Sequence, residues 1–160
     1  MISTNRPGAD VIELRVPCKP EYVRTIRRVI ADFAESSDMP KATIEEIEIA
    51  ASEAATNIVR HAYVDCSRMP RMHIRCARRK HGLLVEVTDR GRGFCAPADG
   101  VIPNADIDFD REGGYGIVLI KCLMDTVNYI SKPDEGTKIK MTKSVHGIPA
   151  IGVHSTNHHI

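Results

Sequence analysis

Neither sign of charge dominates this sequence: Lys and Arg together number 22 against 21 for Asp and Glu, a formal net charge of +1. That balance supplies no global drive toward nucleic acid or a membrane surface, so no direct nucleic-acid or membrane partner is expected. No apolar run approaches the roughly 20 residues of a membrane span, and the N-terminus has no signal-peptide apolar core. CxxC spacing is missing as well. Cys18, Cys66, Cys76, Cys95 and Cys122 are odd in number and scattered, so neither a zinc site nor a redox pair is expected. They read as reduced thiols in a cytoplasm. There is no internal repeat and no low-complexity block.

What is present is ordinary for a globular protein, with 42% hydrophobic and 27% charged residues. A chain of 160 residues fits one domain with a real core. The stretch from Pro40 to Tyr63 reads as one long helix. Ile44, Ile47, Ala51, Ala54 and Ile58 repeat at three and four residues, the stripe of a half-buried helix. Glu53 and Asn57 stand four apart and therefore stack one turn above the other on a neighbouring face. A carboxylate takes a proton and an amide oxygen ligates a hard cation, so the pair suits a magnesium–phosphate site. Set against this, Glu and Asn on a helix are mostly plain solvated surface.

Before that helix, Met1 to Asp10 reads as a loose tail and Val11 to Val16 alternates as a half-buried strand, ended by Pro17. Pro20 opens a helix with Val23, Ile26, Ile30 and Phe33 as its stripe. Arg24, Arg27 and Arg28 lie off that stripe, as a solvated basic face or a docking face for an acidic partner. Beyond the central helix, Arg71 to Ala77 and Leu83 to Asp89 read as paired strands. Leu83, Val85, Val87 and Asp89 share one face, so Asp89 is either exposed at a frayed strand end or set in an interior pocket. Asp89 to Gly93 forms D-x-G-x-G, in which Gly91 and Gly93 permit close backbone approach; a simple turn would use the same residues. Ala96 to Glu112 is a loop of roughly 17 residues, a length that tends to be functional or disordered.

Gly113-Gly114-Tyr115-Gly116 then opens a helix, giving free N–H groups that bind phosphate well, or else a hinge. Val127 to Ser131 and Thr137 to Met141 read as two last strands around a turn at Pro133 to Gly136. The tail from Ser144 carries His146, His154, His158 and His159 without a helical metal-binding pair.

E-x-x-x-N on a helix, D-x-G-x-G after a strand, a long loop, G-x-G opening a helix and Gly-Thr before a last strand occur here in one order. This ordered set resembles the GHKL ATPase fold of histidine-kinase catalytic domains and gyrase. Within that fold, SEAATNIVRHAY, VTDRGRGF, EGGYGIVLIKCLMDTVNYIS and GTKIKMTK are most similar to the bacterial anti-sigma factor and serine-protein kinase family of the RsbW and SpoIIAB type. The likeness spans about residues 10 to 144. It implies an α+β fold, a two-layer sandwich whose mixed, mainly antiparallel sheet is covered on one face by helices. A kinase domain over 11–144 would be flanked by a flexible tail and a C-terminal extension.

The resemblance also implies roles. Glu53 would be the general base. Asn57 would hold magnesium on the ATP phosphates. Asp89 would accept the adenine amino hydrogen, and Gly91 and Gly93 would let adenine and ribose pack on backbone. Gly114 and Gly116 would face the phosphates, Thr137 would complete the adenine end, and Arg111, within an ATP lid, would offer charge to the terminal phosphate. The implied cofactors are ATP and Mg2+. The implied partners are a STAS-domain anti-anti-sigma factor, whose serine or threonine is phosphorylated, an alternative sigma factor, and a second copy of the chain. Arg90 and Arg92 depart from the pattern by making the adenine-side loop more basic than the family leads one to expect. The competing expectation is an ATP-binding regulatory module that activates a phosphatase or stressosome without kinase activity on a STAS partner. A sensor histidine kinase would need a phosphoacceptor helix ahead of this fold, whereas the first histidine is His61, inside the central helix.

Overall fold

The computed structural model describes residues 10–64, 67–93 and 114–145. Through them run β1 (Val11–Pro17), α1 (Pro20–Glu35), α2 (Lys41–His61), β2 (Arg71–Arg79), β3 (Gly82–Asp89), α3 (Gly114–Leu123), β4 (Thr126–Lys132) and β5 (Gly136–Ser144). The strands lie in the order β1-β2-β3-β5-β4, and every neighbouring pair is antiparallel. The α+β class stands as expected, and among the described residues the sheet has no parallel component. The loop from Ala96 to Glu112 with Arg111, nearly all of the N-terminal tail and the extension beyond Val145 lie outside the described residues.

The period-two alternation of β3 decides which side of the sheet is covered. Register places Val87 opposite Ile74 and Ile139, and Val85 opposite Cys76 and Met141, all on one face. Leu14 and Val16 of β1 and Tyr129 of β4 continue that face across the sheet. These side chains join one core with α1, α2 and α3. The opposite face carries the buried pair Leu84 and Ala77 and a charged cross-strand row in which Arg75 lies 3.1 Å from Glu86 and 3.6 Å from Glu13, and Lys138 lies 3.9 Å from Glu86. A charged row on one face and a continuous apolar core on the other is the pattern of a two-layer antiparallel sheet. β1 is an edge strand, so it accommodates Pro17 one residue past its expected end, where the missing N–H costs no ladder bond inside the sheet.

The helix α2 packs between α1 and α3. Its buried residues are Ile44, Ile47, Ala50, Ala51, Ala54, Ala55 and Ile58, a wider face than the expected stripe because Ala50 and Ala55 are covered by neighbouring helices. Lys143 of β5 fastens the layers together. Its Nζ donates to the Leu123 carbonyl at 2.7 Å and lies 2.6 Å from Glu46 Oε2 and 3.7 Å from Asp125 Oδ1. Asp125 Oδ2 in turn accepts the Ser144 N–H at 2.7 Å. Among the described residues no helix is long and apolar enough to cross a membrane.

Ile47 is buried in the centre of this packing, whereas Ile49 on the same helix is 42% exposed. Ile47→Ala is expected to lower unfolding stability by about 2–5 kcal/mol and Ile49→Ala by no more than about 0.5 kcal/mol, measured by urea denaturation.

Candidate functional site

Two groups of side chains converge along α2. The first comprises Glu53, Asn57 and Gly116. Four residues bring Glu53 and Asn57 to the same side of α2, and both are partly exposed. The first turn of α3 packs directly on them. A Cβ placed on Gly116 would lie 2.9 Å from Glu53 Oε2, 3.3 Å from Asn57 Nδ2 and 3.4 Å from Asn57 Oδ1. Glycine is therefore what lets the helix start approach the carboxylate and the amide together. Among the described residues neither Glu53 nor Asn57 has a hydrogen-bond or ion-pair partner, so both polar groups stay free beside the N–H groups of a helix N-terminus. Gly114 begins that helix, as expected from the glycine cluster.

The second group surrounds Asp89, which is only 3% exposed at the end of β3. Of the two expectations for it, exposure at a frayed strand end is overturned: the carboxylate is buried. Its Oδ1 accepts the Gly91 N–H at 2.7 Å, and the Thr137 N–H is a second donor to the carboxylate. Burial raises its pKa above the ordinary value of 3.8, and the two N–H donors pull it partly back. Gly91 packs so closely on the Ala62 carbonyl that a side chain there would overlap it. The same carbonyl accepts the Arg92 N–H at 2.7 Å, which seats the D-x-G-x-G turn on the end of α2. Gly93 follows with a positive φ of 58°. Gly136, at φ 97°, presses against the backbone of Asp89 and Arg90, where any Cβ would collide. Thr137 is held from the side by Ser131, whose Oγ lies 2.8 Å from Thr137 Oγ1.

Glu53, Asn57 and Gly116 thus form one cluster, and Asp89, Gly91, Gly93 and Thr137 another. From Glu53 to Ala62, where the second cluster is docked, α2 rises about 14 Å. One helix therefore carries a polar pair beside a helix N-terminus at one point and a buried acceptor with close-packed backbone further along. That arrangement suits a ligand with phosphates at one end and a flat hydrogen-bonding group at the other.

Sequence reasoning missed four contributors. Ala62 acts through its carbonyl, for which no side-chain motif exists. Gly136 carried a signal in the Gly-Thr preceding the last strand, whereas Ser131 carried none. Cys18 stands at the same end as Asp89; burial first, then the Asp89 carboxylate, push its thiol up to about 11. Its position follows from the covered face of β1, since Val16 and Cys18 are two apart. Among the described residues no group of three or more His, Cys, Asp or Glu is placed to hold a metal ion. The Asn57 amide oxygen is a donor of the type that a hard cation such as magnesium takes.

Comparison with known proteins bears on the family and the fold. The family model of the histidine kinase-like ATPase domain matches residues 16–143. The serine-protein kinase RsbW of Staphylococcus aureus is 35% identical over 144 residues, covering 85% of this chain and 87% of that protein. Among solved structures, the RsbU and RsbW domains of a Mycobacterium tuberculosis protein superpose with a TM-score of 0.63 at 16% identity, over 85% of this chain and 32% of that one. The histidine kinase domain of a blue-light activated kinase from Erythrobacter litoralis superposes with a TM-score of 0.53 at 22% identity, over 81% of this chain and 62% of that one. These two structures share the fold.

The buried carboxylate has a consequence for pH. With its native pKa raised, Asp89 holds its proton more tightly folded than unfolded, so its contribution to stability is full below the unfolded value and is lost as pH rises through the native one. Asp89→Asn does not titrate. The melting-temperature difference, variant minus wild type, is expected to grow as pH rises above the ordinary carboxylate value of 3.8; a constant difference would place the carboxylate in a solvated setting.

Proposed function

This chain belongs to the histidine kinase-like ATPase family, among the relatives of the serine-protein kinase RsbW, and on that premise we propose that it is an anti-sigma factor and protein serine/threonine kinase. It transfers the γ-phosphate of ATP to a STAS-domain anti-anti-sigma factor and sequesters an alternative sigma factor by partner switching. The observation that carries the reading is the approach of Gly116, at the start of α3, to both Glu53 Oε2 and the Asn57 amide.

In this reading Asp89 accepts a hydrogen from the adenine amino group, while Gly91, Gly93 and Thr137 shape that end of the pocket. Gly114 and Gly116 turn backbone N–H groups toward the phosphates. Arg111 adds positive charge at the terminal phosphate. Asn57 holds the magnesium, which supplies charge neutralisation when bound. Glu53 takes the proton from the partner's serine or threonine hydroxyl as that oxygen bonds to the γ-phosphorus; the bond from this phosphorus to the β–γ bridging oxygen breaks, and ADP leaves. Most of the acceleration comes from positioning and from fixed N–H groups. Partner switching follows by linkage: a nucleotide state that changes affinity for one partner is itself favoured or disfavoured by that partner to the same degree. The working form is a cytoplasmic homodimer.

The test is transfer of labelled γ-phosphate from ATP to STAS-domain proteins of the same organism. Glu53→Ala is expected to bind ATP nearly as well as wild type and to lose transfer by roughly 10²-fold or more. Undiminished transfer would remove Glu53 as the base. ATP binding without transfer by the wild type would instead favour a nucleotide-gated regulatory module.

A further inference from the structure

A basic patch lies on the outside of the turn that carries Asp89, and nothing in phosphotransfer requires it. Arg68 Nη1 donates to the Arg90 carbonyl at 3.0 Å and reaches the Gly91 carbonyl at 3.4 Å. The Tyr63 hydroxyl donates to the Arg71 carbonyl at 2.6 Å and accepts the Arg90 N–H at 3.1 Å, so one oxygen bridges the backbones of Arg71 and Arg90. Arg92 follows two residues later on the same turn. All four arginines are exposed. Among the described residues none of them has an ion-pair partner. Of the acids near this turn, Asp89 is turned inward onto Gly91 and Glu135 lies 3.5 Å from Lys132, while Asp134, whose N–H donates to the Arg92 carbonyl at 2.7 Å, borders the patch on the Arg92 side.

The patch is also apolar. Met69, next to Arg68, is 72% exposed, and Val64, next to Tyr63, is 46% exposed. Arg and Met are enriched at protein interfaces, and Arg is prominent among the residues that dominate binding energy. A nucleic-acid surface would call for a broadly basic face, whereas this chain carries a net charge of only +1. Concentrated unpaired guanidinium groups around an exposed thioether match carboxylates interleaved with apolar side chains.

We propose that Arg68, Met69, Arg71 and Arg90, flanked by Val64 and Arg92, form a docking surface for an acidic, amphipathic segment of a protein partner. The segment's carboxylates pair with the guanidinium groups and its apolar side chains cover Met69 and Val64. Arg68 is the pivot, since its guanidinium is already ordered by two carbonyls and loses little further freedom on binding.

The probe is a fluorescein-labelled synthetic peptide of alternating glutamate and leucine, titrated by fluorescence anisotropy into the intact protein. Saturable binding that weakens as salt is added is expected, with a loss of about tenfold or more in the Arg68→Glu, Arg71→Glu double variant. Met69→Glu leaves every arginine and its hydrogen bonds in place, and it is expected to weaken binding as well; circular dichroism melts confirm that the variants are folded. Unchanged affinity in both folded variants overturns the proposal, as does absence of saturable binding by the wild type. Duplex DNA or phosphatidylserine vesicles binding through the same arginines in place of the peptide would overturn it too.

Discussion

Ala50, Ala51, Ala54 and Ala55 of α2 have no solvent exposure, and two helices and a sheet close around them. Side chains this small bring the neighbouring backbones close, and close-packed interiors transmit any misfit. The position of α3 against α2, and hence of Gly116 against Glu53 and Asn57, follows from that contact. Larger residues along this face would push α3 away and separate the helix N-terminus from the pair it serves.

The second constraint is electrostatic. A carboxylate withdrawn from water is costly unless fixed donors replace its hydration. Asp89 meets the requirement with backbone N–H groups from Gly91 and Thr137, which belong to segments far apart in the chain. The price of burying this acceptor is therefore partly offset by the same contacts that join β3 to β5. Gly91 on the Ala62 carbonyl and Gly136 on the Asp89 backbone hold those donors in place. Folding and the shape of the candidate site are not separable at this end of the molecule.

Much of this was legible in the residues. The period-two run from Leu83 to Asp89 places the carboxylate on the apolar face, and the register with Ile74 and Ile139 bears that out. The three-and-four spacing in α2 marks its buried side, and the glycine cluster marks the start of α3. What stayed hidden depended on contacts between distant elements. Ala50 and Ala55 gain their burial from flanking helices, which no single-helix periodicity encodes. Ala62 works through its carbonyl, and Tyr63 through a hydroxyl shared between two strand ends. The basic character of Arg90 and Arg92 was visible, but their association with Arg68 and Arg71 required the turn to be folded.

Lys143 also bears on how the molecule can move. By gripping the Leu123 carbonyl and Glu46, it clamps the C-terminal end of α3 to both β5 and α2. Gly116 lies seven residues away, about 10 Å along the helix axis. With one end clamped, α3 is a lever, and any rearrangement of its first turn is a rotation about Leu123 instead of a slide. Displacement then increases along the helix toward the glycines, and the end that faces Glu53 travels farthest for the least disturbance of the core.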